Sequence, residues 1–342
     1  MSAQPTAVDD DRLKQIWYTR CPVPTPLGLA AQQGWFNAEF AADGIQISTL
    51  QETADAALRE SHYDHHLRNS FRQGGNVPPI WARARGAETR VIGLNWVDEY
   101  QAVLTLPDSG IVEPAQLRGR RLALPKHNNS IDHSRASALR GFVVTLEHAG
   151  VDTAEVQFID TEYTGPRAPA LSNGQRGGYR QEVQALLDKR VDAIFVKGSR
   201  GIEVTDELNA NVLFDIRNHP DPLVRSNNGA PRPVTVDLHL LQTRPDVVGR
   251  FLKRIVDVGA WATSHAAQTV AYVAQETQSS EAAVRRAYGE DLHLRQVTDL
   301  APDSIKALEG YKNFLFKWGF IERDFDVSAW IDPRPLAEFD GK

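Results

Sequence analysis

Val112-Glu-Pro-Ala-Gln-Leu-Arg-Gly-Arg-Arg-Leu-Ala-Leu124 is the stretch from which the fold is read. Pro114 suits the first turn of a short helix, Gly119 a turn, and the apolar run after Arg121 a strand that opens a new sheet. Working back from it, strands are expected at 13–19, 44–50, 89–97 and 101–106. Helices are expected from about residue 24 to 36, and at 78–85, where Pro78-Pro79 marks the start. Working forward, a helix at 134–148 ends at Gly150, a strand follows at 155–160, a helix at 179–189 and a short buried strand at 192–196. Residues 163–178, rich in Gly, Pro, Ser and Asn, read as a loop. The segment 219–233 carries four prolines and reads as a return crossing between two lobes. After a strand at 234–242 the pattern turns helical, at 246–265, 266–278, 281–288 and 303–318. Strands alternating with helices specify an α/β class with crossover connections.

The bulk properties narrow the function. A chain of 342 residues can bury two cores. The division expected is a disordered arm at 1–12, one lobe from 13–106 plus 234–342, and a second lobe at 107–233. A net charge of −6, with no strongly basic stretch, argues against a nucleic-acid partner. The single cysteine, Cys21, forbids an internal disulfide. Residues 1–12 are polar and acidic, without the apolar core of a secretory signal. No run approaches the ~18–20 apolar residues of a membrane span. A cytoplasmic protein is expected, acting without a membrane and as a monomer.

Cys21 lies in Tyr18-Thr-Arg-Cys-Pro-Val-Pro24, where a strand stops and a helix is expected to begin. Helix N-termini and nearby cations favour a thiolate. His62, and Arg72 followed by Gly74-Gly75, supply a proton carrier and an oxyanion clamp. A guanidinium matches a two-oxygen anion with two parallel hydrogen bonds, so Arg72→Lys is expected to lose function while the fold survives. His62, Asp64, His65 and His66 also raise a metal reading. Their spacing does not match a paired HExxH motif, and only one sulfur ligand exists in the chain, so no metal and no cofactor is expected. Asn128-Asn129-Ser130 falls at a strand–helix turn. Asn129 is a candidate for polar substrate contact, a plain turn or helix cap being the alternative; Lys197 is a weaker candidate of the same kind.

The element order resembles the type 2 periplasmic-binding-protein fold of sulfonate, nitrate and taurine binding proteins, two lobes around a central cleft. Within it the chain resembles the 2'-hydroxybiphenyl-2-sulfinate desulfinases from Tyr18 to about Phe339. Three places carry the likeness: Cys21-Pro-Val-Pro, His62 ten residues before Arg72-Gln-Gly-Gly75 with Pro78-Pro79 following, and the helix end Thr145-Leu-Glu-His-Ala-Gly-Val-Asp152. The resemblance implies an essential Cys21, a catalytic His62 and Arg72, and substrate contacts from Gly74, Gly75 and Thr19, the last standing where the family has serine. Leu67 stands where the family has glutamine, and Phe195-Val-Lys-Gly-Ser199 where it has a tryptophan-rich stretch, so the substrate's carbon skeleton is open. The function implied is cofactor-free hydrolysis of the carbon–sulfur bond of an organic, aromatic sulfinate to release sulfite. Cys21 would act as nucleophile at sulfur or as acid at carbon. The alternative is a solute-binding protein for a sulfonate-like small anion.

Overall fold

The computed structural model describes residues 13–163 and 178–339. The expected arm at 1–12, and most of the expected loop at 163–178, lie outside the described residues. Ten strands are present among those described: β1 (Gln15–Arg20), β2 (Gln46–Thr49), β3 (Ser70–Gln73), β4 (Thr89–Asn95), β5 (Gln101–Thr105), β6 (Arg121–Lys126), β7 (Gln157–Glu162), β8 (Ile194–Lys197), β9 (Asn211–Asp215) and β10 (Arg232–Asp237).

The opening stretch forms as its residues dictate. Pro114–Leu117 is a 3-10 turn closed by a reciprocal Glu113–Gln116 capping box, Gly119 sits at φ +75°, and β6 follows. β6 pairs in parallel with β7. A parallel bridge from Leu122 to Ala193 ties that pair to the antiparallel ribbon β8-β5-β9. The other sheet has the order β2-β1-β3-β10-β4, with β1 parallel to both neighbours and β10 antiparallel to β3 and β4. The chain therefore leaves the first sheet after β4 and returns to it at β10. One difference concerns β5, grouped from the sequence with residues 13–106: it pairs with β8 and β9 in the second sheet. Its buried alternation fits either sheet, and only pairing partners assign it.

Most predicted helices form close to their expected bounds, and Glu281–Tyr288 matches to the residue. The expected 24–36 helix is two pieces, Pro26–Gln32 and Trp35–Phe40, broken at Gly34 with φ +71°. Helix Pro245–Thr263 covers the first sheet. Its Phe251 is stacked between Phe36 at 4.0 Å and Phe71 at 3.9 Å, clamping β3 from one side. Because strand side chains alternate, Phe71 on that side leaves Arg72 to the other. Helix Pro302–Lys317 joins the second core, with Tyr311 fully buried beside the return crossing. Among the described residues no helix is long and apolar enough to cross a membrane.

Candidate functional site

Strand register builds the site. Thr19 of β1 lies directly opposite Arg72 of β3, and the Cys21 N–H donates to Gln73 O at 3.0 Å, continuing the ladder past the strand end. Thr19, Cys21 and Arg72 therefore share one face by the two-residue period, at the carboxyl ends of two parallel strands, where open α/β sheets bind ligands. The helix Ala56–Asp64, capped by Asp55, delivers His62 to the same face.

Three nitrogen groups converge on the thiol, two of them donors. Cys21 Sγ lies 3.6 Å from Nε2 of His62, 3.5 Å from Nη2 of Arg72 and 3.4 Å from the Gly75 N–H. Nδ1 of His62 is 2.8 Å from Thr19 Oγ1, the donor depending on the ring tautomer. His62 and Arg72 are 4% and 2% exposed, whereas Cys21 is half-buried. Burial, reinforced by the Arg72 charge, holds His62 well below the ordinary imidazole range. Its ring is neutral; in the tautomer whose Nδ1–H donates to Thr19 Oγ1, Nε2 is free to take the thiol's proton. Gly74 is needed for space: a Cβ there would sit 2.2 Å from Cys21 Sγ.

Two sequence expectations change here. The cation beside the sulfur is the Arg72 guanidinium, not a helix N-terminus. The nearest helix starts only at Pro26, capped by Thr25, and its Leu27 N–H is taken by Gln73 Oε1 at 2.8 Å. Nor does Arg72 present a free fork. Nε donates to His62 O at 3.1 Å and Nη1 to Gly75 O at 2.9 Å, leaving Nη2 on the sulfur.

The remaining candidates are placed differently. Asn129 is half-buried in the turn after β6 and bonds none of Cys21, His62 or Arg72. Its neighbour Ser130 reaches Glu60 on the His62 helix. Lys197 is engaged in a 2.7 Å ion pair with the buried Glu99. His65 turns to Tyr63 O and His66 to Asp64, and among the described residues no three His, Cys, Asp or Glu side chains gather as a metal-ligand set. Sequence reasoning missed Asn228, whose carboxamide lies against Gly75. Its signal was Asn227-Asn228-Gly229 inside the proline-rich crossing, indistinguishable there from an ordinary turn.

No protein-family model matches the chain. The periplasmic aliphatic sulphonate binding protein SsuA of Escherichia coli superposes with a TM-score of 0.66, at 15% identity, over 93% of this chain and 92% of its own. The desulfurization enzyme DszB, solved as a cysteine-to-serine mutant in complex with biphenyl-2-sulfinic acid, superposes with a TM-score of 0.77, at 23% identity, over 96% of this chain and 99% of its own. The fold is periplasmic-binding-protein-like. Within that periplasmic-binding-protein-like group a homologue is the 2'-hydroxybiphenyl-2-sulfinate desulfinase of Rhodococcus erythropolis, 24% identical over 352 residues, spanning 94% of this chain and 92% of the relative. The periplasmic-binding-protein-like relatives thus include one named for carbon–sulfur cleavage and one named for sulfonate binding.

Proposed function

We propose that this chain hydrolyses the carbon–sulfur bond of an organic sulfinate, an aromatic one in the first instance, and releases sulfite. The carrying observation is the convergence of His62 Nε2, Arg72 Nη2 and the Gly75 N–H on Cys21 Sγ. The reaction RSO2⁻ + H2O → RH + HSO3⁻ needs an acid for carbon, an acceptor for SO2 and a donor set for oxygen. Water is the only co-reactant.

Along one route the thiolate bonds to the sulfinate sulfur and the carbon–sulfur bond breaks. The carbon takes the proton that left the thiol, carried by His62, and water then cleaves the S–S bond to return thiol and bisulfite. Along the other, the thiol protonates the carbon as SO2 leaves, and water converts SO2 to bisulfite while the cysteine regains its proton. In both, Arg72 and the Gly75 N–H stabilise negative charge on sulfur or on the bound oxygens from a dry, fixed frame.

The second reading, binding of a sulfonate-like anion without turnover, is supported by the SsuA neighbour. Sulfite release from benzenesulfinate and biphenyl-2-sulfinate separates the two. The proposal expects release by the parent protein and loss of at least about a thousandfold in Cys21→Ser, which still binds the ligand. Undiminished release by the serine variant would remove the thiol from the reaction. Tight binding of sulfonates with no sulfite from any sulfinate would establish the binding reading.

A further inference from the structure

We propose that Asn228, on the return crossing, is a specificity-determining donor whose Nδ2 grips an oxygen of the bound sulfur oxyanion beside Gly75. The inference rests on the proposed sulfinate site. Asn228 is only 9% exposed. Its Oδ1 accepts the Val77 N–H at 3.0 Å, capping the helix Val77–Ala84, whose own N-cap Asn76 provides no side-chain cap. An N–H pointing at the carboxamide fixes which end is oxygen, so the NH2 group faces the other way. Among the described residues that NH2 has no hydrogen-bond partner. The whole carboxamide lies against Gly75, with Oδ1 2.6 Å and Nδ2 2.9 Å from where a Cβ would stand, and Gly75 is the residue whose N–H addresses Cys21 Sγ. An amide on a side chain that is nine-tenths buried, with both N–H groups unpartnered within the described protein and open to an incoming ligand beside a sulfur-directed N–H, fits an anionic acceptor supplied by that ligand.

The surroundings hold Asn228 in place from several elements. The Asn228 N–H donates to Asn227 Oδ1 at 2.7 Å, and Asn76 N–H donates to the Asn228 carbonyl at 2.9 Å. Asn227 is in turn bonded to Gln101 of β5, to Ser137 O of the helix His133–His148, and to the Tyr311 hydroxyl. β5, the helix His133–His148 and the helix Pro302–Lys317 therefore position one carboxamide, although Arg72, with Nε and Nη1 committed to carbonyls, has only Nη2 left on the sulfur side. A ligand with two oxygens needs a further donor, and Asn228 supplies it.

Asn228→Asp tests this directly, because it keeps the acceptor for the Val77 N–H and removes the NH2. Binding of benzenesulfinate is measured calorimetrically in the Cys21→Ser background to prevent turnover, with Asn228→Ala as an uncharged companion. Expected is an unchanged melting temperature for the aspartate variant and binding weaker by about ten- to a hundredfold in both, the size of one lost hydrogen bond to a charged group. The alanine variant carries no charge, so its loss cannot be repulsion of the anion by a new carboxylate. Sulfinate binding as tight as the parent's in the alanine variant, whether or not the aspartate variant is weakened, would overturn the role of Asn228 and leave the proposed function standing. Absence of sulfinate binding in the Cys21→Ser parent would remove both.

Discussion

Arg72 directs its guanidinium inward, bracing the carbonyls of His62 and Gly75 while its third edge meets the thiol. A lysine at this position carries one compact ammonium that cannot satisfy two carbonyls and a sulfur from a single point. Arg72→Lys is therefore expected to lower stability by about 2–4 kcal/mol, since buried acceptors left unmet cost ~1–3 kcal/mol each. Urea titration checks the stability. Iodoacetamide labelling of Cys21 is expected to slow at least about tenfold in the same variant, because the fixed cation beside the sulfur is displaced. His62→Gln is expected to slow labelling less, since the neutral imidazole contributes no charge. A lysine variant with unchanged urea midpoint and labelling rate would refute this account. The sequence reading expects the fold to survive this change with loss of ligand binding, and the two carbonyl bonds add the stability cost of a structural brace.

At the scale of elements, the return crossing is locked by a polar hub rather than by apolar packing. Asn227 is 1% exposed. Its Nδ2 donates to Gln101 Oε1 and Ser137 O, and its Oδ1 accepts from Asn228 N–H and the Tyr311 hydroxyl. Asn227→Ala strands several buried partners at once and is expected to cost about 3–5 kcal/mol. Tyr311→Phe removes one bond and one polar group together, and is expected to cost about 1 kcal/mol. Thermal unfolding of the two variants measures the difference, and equal melting temperatures would show that the hub does not hold the crossing. Elements with strong local signals were legible in the chain, including the helix Glu281–Tyr288 and the turn at Gly119. The helix Ala56–Asp64 and the strand β3 were not. β3 is only Ser-Phe-Arg-Gln, and its Arg72 and Gln73 can be buried because the His62 and Gly75 carbonyls accept from Arg72 and the Leu27 N–H donates to Gln73 Oε1. No local pattern announces such a strand, since polar residues ordinarily mark exposed chain.

For the whole molecule, pH dependence follows from three histidines held neutral. Burial, then the Arg72 charge, lowers His62. Burial lowers His65 to about 3 and His133 to about 4. In the unfolded chain each titrates near 6.5. Between about pH 6.5 and 4 the unfolded state thus binds more protons, and stability falls as pH falls, by up to ~1.4 kcal/mol per pH unit for each histidine. His127, raised by its bond to Asp132, and Glu182 and Asp215, raised by burial, act in the opposite sense and offset part of that loss, which the three histidines outweigh. Urea titrations at pH 7 and pH 5 are expected to show a clear drop, made shallower by about one proton in His133→Asn. A level profile across that interval would contradict the neutral assignment.

What the sequence determined by itself is the class of architecture and a set of candidate residues. Alternating strands and amphipathic helices, the Gly119 turn and the proline-rich crossing are local consequences of side-chain period and backbone restriction. Cys21 stands out as the single cysteine at a strand end, and the resemblance to the desulfinases singles out His62, Arg72, Gly74 and Gly75 beside it. Tertiary structure alone decided which sheet receives β5, that the guanidinium rather than a helix end faces the thiol, that His62 is neutral, and that Asn228 overlies Gly75. Each of these depends on contacts between segments far apart in the chain, and on the desolvation those contacts impose, which no window of residues contains.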